Sequence, residues 1–120
     1  MTVGRITPMI CIMGVIFVLS HIPGNAFIQV DIVNLDKVVH MVCYGVLALS
    51  VIWGWYPPGC KRSPLKTALA VILFCILYGI SDEYHQSFIP GREPSLYDVI
   101  ADGLGAVLVS FAWLWWGKRT

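Results

Sequence analysis

The side chains of this protein that could do chemistry recur at intervals of four residues. Asp36, His40 and Tyr44 follow this interval, which places them on one face of a helix. Carboxylates and an imidazole in a partly dry site can exchange protons, accept hydrogen bonds or bind a divalent ion. The same interval joins two further groups: Tyr78, Asp82 and Gln86, and Asp98 and Asp102.

Two cations and one further acid accompany these groups. Lys37 follows Asp36, Glu83 follows Asp82, and Arg92 lies in the segment before Asp98. Ammonium and guanidinium groups bind phosphate or carboxylate, and a guanidinium can do so with two parallel hydrogen bonds. The predicted ligand-binding set is Asp36, Lys37, His40, Tyr44, Asp82, Glu83, Gln86, Arg92, Asp98 and Asp102.

The same residues leave open whether the protein is an enzyme. Acid–base roles would fall to His40 with Asp36 or Glu83, because neighbouring ionisable groups in a dry site acquire separated pKa values. A metal-assisted version would use His40, Asp82, Glu83 and Asp98, yet neither H-E-x-x-H nor another strong metal motif is present. The sequence therefore predicts no cofactor and assigns no catalytic residue.

These groups stand in a strongly apolar chain. Of the 120 residues 58% are hydrophobic and 12% are charged, about half of the roughly 25% charged residues of a soluble domain. So short a chain has too little interior to bury that much apolar surface in water. The composition and four apolar stretches predict an all-α membrane protein with four transmembrane helices in an antiparallel bundle. It is a single domain (1–120), with spans at roughly 6–22, 35–56, 64–82 and 96–117.

Caps and breakers refine these boundaries. Thr7-Pro8 and Ser63-Pro64 each offer a cap followed by proline at the first helical position. Ser95 with Asp98 three residues later resembles a capping box. Pro57-Pro58-Gly59 predicts the end of the second helix.

Basic residues predict the orientation in the membrane. Arg5, the segment Lys61–Lys66 and Lys118-Arg119 lie on one side of a four-span arrangement, and the positive-inside rule makes this side the cytoplasm. Both termini are then cytoplasmic, in the bacterial cytoplasmic (inner) membrane, and the polar set faces outward. A cleavable signal peptide ending near Gly24-Asn25-Ala26 is the competing interpretation of the first span. The net charge of +1 gives no reason to expect a nucleic acid partner.

Depth indicates which groups need partners. Asp102 lies seven residues after Ser95, so about 10 Å inward along a helix. An intramembrane acid costs about 2.5–3.5 kcal/mol, so Asp102 and the shallow His40 need a partner, water or a proton. Structural explanations exist for single residues: Asp98 suits a helix N-terminus, and Arg92 after Pro90-Gly91 can donate to helix-end carbonyls. For the set as a whole, an outward polar pocket between helices is the better interpretation.

Two segments carry a family resemblance. Asp36-Lys37-Val38-Val39-His40-Met41-Val42-Cys43-Tyr44 resembles the D-K-x-x-H-x-x-x-Y segment of VanZ-like membrane proteins. Residues 82–92 resemble that family's D-E-x-x-Q-x-F-x-P-x-R signature, followed by Asp98 and Asp102-Gly103. The likeness covers the chain from Asn34 onward. It implies a relation to a protein that lowers susceptibility to the lipid-tailed glycopeptide teicoplanin.

Three functions remain open. The leading expectation is an outward pocket that binds a cell-envelope lipid, a lipid-linked wall precursor or the lipoglycopeptide itself. The alternative is an intramembrane enzyme that acts on a lipid-linked substrate. A transporter or proton relay ranks third, because the inner halves of the helices offer no polar path unless small residues such as Ala101, Gly105 and Ala106 support a homo-oligomer.

Overall fold

The computed structural model describes residues 2–23 and 35–119. These residues contain four helices and no strand. They are α1 (Val3–His21), α2 (Leu35–Trp55), α3 (Pro64–Gln86) and α4 (Leu96–Arg119). Each helix is long and apolar enough to cross a membrane. The chain is therefore a multi-pass membrane protein, and the predicted all-α, four-helix fold class is confirmed. The predicted cleavage site at residues 24–26 and the acid Asp31 lie outside the described residues.

Some helix ends follow the sequence signals, and others depart from them. Ser63 caps α3 as predicted, since its side chain accepts from the Lys66 amide at 3.4 Å, with proline at the first helical position. α1 begins at Val3 instead of after Thr7, so Pro8 lies inside the helix and that expected start was wrong. Instead of capping, the Thr7 hydroxyl donates to the Val3 carbonyl at 2.9 Å.

α3 continues one turn past the expected end at residue 82, to Gln86. Glu83 and Gln86 in this extra turn are buried, as is Asp82 just before it. Polar side chains with partners inside the protein can extend a helix beyond the limit that hydropathy alone suggests.

α2 and α3 form the centre of the molecule. α1 packs against both of them on one side and α4 packs against both on the other, whereas α1 and α4 share no packing interface in the described chain. The core at this centre includes Leu47, Val51, Val71, Cys75 and Ala106. Polar residues on the central pair can consequently face either of two separate interfaces.

The closest helix crossing joins α2 and α4. A Cβ atom at Gly105 would lie 2.2 Å from the Met41 carbonyl oxygen, so only glycine allows this approach. Contacts 37–98, 40–102 and 41–105 all advance in the same direction along the two helices. Successive helices run antiparallel, but this tightest pair is parallel, with both N-terminal ends at one end of the bundle.

Candidate functional site

The candidate site begins with two neighbouring acids in the last turns of α3. Successive residues of a helix point about 100° apart, so Asp82 and Glu83 face different neighbours. Asp82 turns toward α1 and α2, whereas Glu83 turns toward the start of α4. Both side chains are buried, each with 7% of the residue exposed.

Asp82 is the acceptor at the centre of a group that we call the cavity cluster: Ser20, Tyr44, Asp82 and Gln86. The Ser20 hydroxyl donates to Asp82 Oδ1, and the Tyr44 hydroxyl donates to Oδ2 at 3.3 Å. Gln86 Nε2 lies 3.4 Å from Oδ2 and 3.3 Å from Ser20 Oγ. All of these donors are neutral, so within residues 2–23 and 35–119 the carboxylate is stabilised by dipoles and not by a directly bonded cation.

A cavity of about 230 Å³ opens beside this cluster, between α1, α2 and α3. One part of its wall is apolar and another part is polar. The apolar lining is Ile16, Leu19, Val39 and Cys43, and the polar lining is Ser20, His40, Tyr44, Asp82, Gln86 and Arg92.

Arg92 reaches the cavity from the loop between α3 and α4. Its Nε donates to the Ile22 carbonyl at 2.9 Å, and a terminal nitrogen donates to the Leu19 carbonyl. These carbonyls end α1, so Arg92 has the helix-end role that its position after Pro90-Gly91 allowed. Partial burial lowers the pKa of the guanidinium from its ordinary value, and the nearby acids Asp82 and Glu83 oppose that shift.

The second group, which we call the charged cluster, lies between α2, α3 and α4 and comprises Lys37, His40, Glu83, Asp98 and Asp102. Lys37 Nζ lies 2.6 Å from Asp98 Oδ1 and 2.6 Å from Asp36 Oδ2. The Asp36 side chain is 63% exposed, so Asp36 stands at the edge of the cluster. His40 Nδ1 lies 2.8 Å from Asp102 Oδ1. His40 also lines the cavity, and it is the residue that joins the two clusters.

Asp102, the deepest acid, is completely buried. The partner that its depth requires is His40, through the Nδ1 contact. Its second oxygen, Oδ2, has no hydrogen-bond partner in the part of the chain that the structure describes, and it packs against Gly79, where a Cβ atom would come within 2.7 Å. Glycine at position 79 thus makes the space that the carboxylate fills.

The expected capping box at the start of α4 is only half present. The Ser95 hydroxyl accepts from the Tyr97 amide at 3.1 Å, as a cap should. However, the Ser95 amide donates to Glu83 Oε2 at 2.9 Å and not to Asp98. Because Glu83 from another helix takes this amide, Asp98 is available for Lys37.

One group of potential metal ligands occurs among the described residues. A donor atom from each of His40, Glu83 and Asp98 lies within 4.8 Å of the other two. Asp82, the fourth metal candidate from the sequence, is not part of it, because it faces α1.

Some contacts had no signal in the sequence. Ser20 lies in an apolar run without a polar neighbour at helical spacing, so only the structure assigns it to the cavity cluster. His21 and His85 also come together, with Nδ1 and Nε2 3.1 Å apart and both rings stacked with Phe17. They lie on different helices, and no local spacing relates residues that are 64 positions apart.

Comparison with known proteins identifies the family. Residues 6–117 match the family model described as VanZ/LLP1. No curated protein and no solved structure gives a significant match. The model covers nearly the whole chain, and the protein therefore belongs to the VanZ/LLP1 family, in agreement with the resemblance of its two motifs.

Proposed function

We propose that this protein binds the polar headgroup of an envelope lipid, or of a lipid-tailed molecule, in the cavity between α1, α2 and α3. Binding would take place on the outer side of the bacterial cytoplasmic membrane and would lower susceptibility to lipid-tailed glycopeptides such as teicoplanin. The observation that carries the proposal is the two-sided lining of the cavity, apolar on one part and polar on the other.

The size of the cavity favours a headgroup over a whole amphiphile. Pockets for drug-sized ligands usually measure about 300–1,000 Å³, and this one is about 230 Å³. The outer faces of the helices expose large apolar side chains, such as Phe17 and Val18 of α1. A headgroup in the cavity would thus leave its acyl chain against α1, within the bilayer.

The polar lining favours a ligand that carries donors. Asp82 is held by neutral donors, so the region around it is electronegative and suits an amine or a set of hydroxyls. Arg92 lines the same cavity and would attract a phosphate. A zwitterionic or amino-sugar headgroup combines both features.

The basic residues support the proposed orientation. Arg5, Lys61, Arg62, Lys66 and Lys118 lie at or beyond the ends of the helices that are opposite the two clusters. With these ends in the cytoplasm, the cavity would lie in the outer leaflet. This is the side from which glycopeptides and exported wall precursors approach.

The test is mass spectrometry of lipids that co-purify with the protein in lipid nanodiscs. Asp82→Asn keeps the shape of the side chain but removes its charge, and it should abolish enrichment of the bound lipid. Leu49→Ala, at an exposed position on α2 that lines a different groove, is the matched control and should keep the enrichment. Arg92→Ala is less suitable, because it also removes the donors that end α1.

The same variants test the resistance phenotype. In cells that depend on the protein for teicoplanin tolerance, Asp82→Asn should restore susceptibility and Leu49→Ala should not. Identical lipid profiles and full tolerance in both variants, at equal abundance in membranes, would refute the proposal.

A second candidate is an intramembrane enzyme, and one contact favours it. His40 lines the cavity while Asp102 holds its Nδ1 nitrogen, an arrangement in which a carboxylate orients a general base. Asp36 and Glu83 were the other candidates for acid–base roles; Asp36 is exposed, and Glu83 faces α4. A lipid that is chemically altered in the presence of the wild type, and intact with His40→Gln, would favour this candidate over simple binding.

A further inference from the structure

We propose that His40, Glu83 and Asp98 bind one divalent transition-metal ion of the Zn²⁺ or Mn²⁺ class between α2, α3 and α4. This site shares His40 with the wall of the headgroup cavity, but its other two ligands, Glu83 and Asp98, do not line that cavity. A bound ion would hold together the outer ends of three helices. The proposal starts from the mutual distances of the three donor atoms, all within 4.8 Å.

The orientation of His40 presents one ring nitrogen to this group. Asp102 is a carboxylate that accepts at 2.8 Å from Nδ1, which assigns the ring proton to Nδ1. The other ring nitrogen, Nε2, then carries the lone pair and lies 3.9 Å from Asp98 Oδ2. A carboxylate that holds the far nitrogen of a histidine is the usual second partner of a metal-bound imidazole.

Glu83 supplies an independent indication of a cation site. Its Oε2 is anchored by the Ser95 amide at 2.9 Å, but its Oε1 is buried and has no hydrogen-bond partner among the described residues. The residue is only 7% exposed. An unpaired carboxylate oxygen at such a site is costly, and a bound cation would remove the cost.

The protein's own contacts hold each ligand in place. Lys37 fixes Asp98 through Oδ1 at 2.6 Å and leaves Oδ2 on the side of His40. Histidine nitrogen with two carboxylates is a donor set suited to Zn²⁺ or Mn²⁺. Four-coordinate ligands at about 2.0 Å from a metal lie about 3.3 Å apart. Since the donor atoms lie within 4.8 Å of one another, binding requires them to approach by up to about 1.5 Å.

The charge balance agrees with a cation at this position. The charged cluster, as defined above, contains three carboxylates, Glu83, Asp98 and Asp102, and one permanent cation, Lys37. Lys37 also pairs with Asp36. A divalent ion would offset the excess of carboxylate charge in a place where water cannot screen it well.

The experiment measures metal uptake by purified protein in lipid nanodiscs. The protein is stripped with a chelator, and Zn²⁺ or Mn²⁺ is then added alone, with stoichiometry read by elemental analysis and affinity by competition with a chromogenic chelator. Wild type should take up one ion per chain. Asp102→Asn, which only loosens the orientation of His40, should weaken binding by about 10- to 100-fold.

Glu83→Gln and Asp82→Asn form the matched pair. The two residues are neighbours with equal burial, but only Glu83 belongs to the donor group. Glu83→Gln keeps an oxygen for the Ser95 amide and should lose more affinity than Asp102→Asn, whereas Asp82→Asn should bind metal as the wild type does. Because Asp82→Asn is also the variant that should lose the headgroup, the two proposals fail separately.

A measurement on the wild-type protein keeps the proposal testable even if a variant does not fold. Co²⁺ in the wild-type site should give the intense visible absorption of a low-coordinate ion with nitrogen and oxygen ligands. Absorption of hydrated Co²⁺ alone, no uptake of Zn²⁺ or Mn²⁺, or equal affinities for Glu83→Gln and Asp82→Asn would each overturn the proposal.

Discussion

The cavity cluster and the charged cluster place buried acids at the same end of the molecule but stabilise them differently. In the cavity cluster, Asp82 accepts from three neutral side chains, Ser20, Tyr44 and Gln86. In the charged cluster, Asp98 and Asp102 are paired with Lys37 and His40. Asp82 belongs to the cavity cluster and Glu83 to the charged cluster, although the two acids are adjacent in the chain.

This difference has an energetic consequence. Hydrogen bonds to a charged group contribute roughly 1.5–3 kcal/mol each, and several donors share the stabilisation of one acceptor. In a buried ion pair, a single contact provides most of the stabilisation. Loss of one partner leaves an uncompensated charge, at a cost of about 3–5 kcal/mol. We therefore expect the charged cluster to be fragile and the cavity cluster to tolerate substitution.

The largest effect should come from His40→Ala. This change removes the side chain that holds the completely buried Asp102, and we expect a loss of about 3–5 kcal/mol in the free energy of unfolding. The measurement is reversible unfolding in a bilayer, for example by single-molecule force. The double variant His40→Ala/Asp102→Ala should be more stable than His40→Ala alone. If the two losses simply add, the pair does not act as a unit.

An intermediate effect is expected for Gly79→Ala. The added Cβ would lie 2.7 Å from Asp102 Oδ2, and overpacking of this kind costs about 1–3 kcal/mol. Gly14→Ala is the control, since nothing lies within 4 Å of its added Cβ. There the melting temperature should stay constant or rise, because alanine favours a helix. Equal melting temperatures for both variants would show that Asp102 can move away without loss.

The smallest effect should come from Tyr44→Phe in the cavity cluster. Asp82 loses one donor and keeps Ser20 and Gln86. Because the lost hydrogen bond is long, at 3.3 Å, we expect a loss of about 1.5 kcal/mol, the low end of the range for a charged acceptor, in the same unfolding assay. If Tyr44→Phe lowered the free energy of unfolding as much as His40→Ala, the two clusters would depend on single contacts to the same degree.

Much of the geometry of the candidate site was predictable because its signal is local. The interval of four residues placed His40 and Tyr44 on one face of α2, and both line the cavity. The same interval placed Asp98 and Asp102 on one face of α4, and both contact α2. The roles of Ser20 and Gly79 were not predictable, because each depends on a residue more than 20 positions away.

The exchange at Ser95 shows why a local rule can fail. Ser95 and Asp98 have the spacing of a capping box, but the Ser95 amide pairs with Glu83. Asp98 of the local capping box and Glu83 of α3 could both accept from the Ser95 amide. Because α3 packs against α4, the amide donates to Glu83. Asp98 then pairs with Lys37 of α2.

By itself the sequence determined that there are four apolar helices, which faces carry the polar groups, and that the deep acid Asp102 needs a partner. These conclusions depend on helical periodicity and on the cost of placing polar groups in a bilayer, and both act within one segment. Only the tertiary structure decided that α2 and α4 pack in parallel through Gly105, and that Asp82 and Glu83 serve different interfaces. The physical reason is that contacts between distant segments depend on which backbones can approach closely, and neither periodicity nor composition records this.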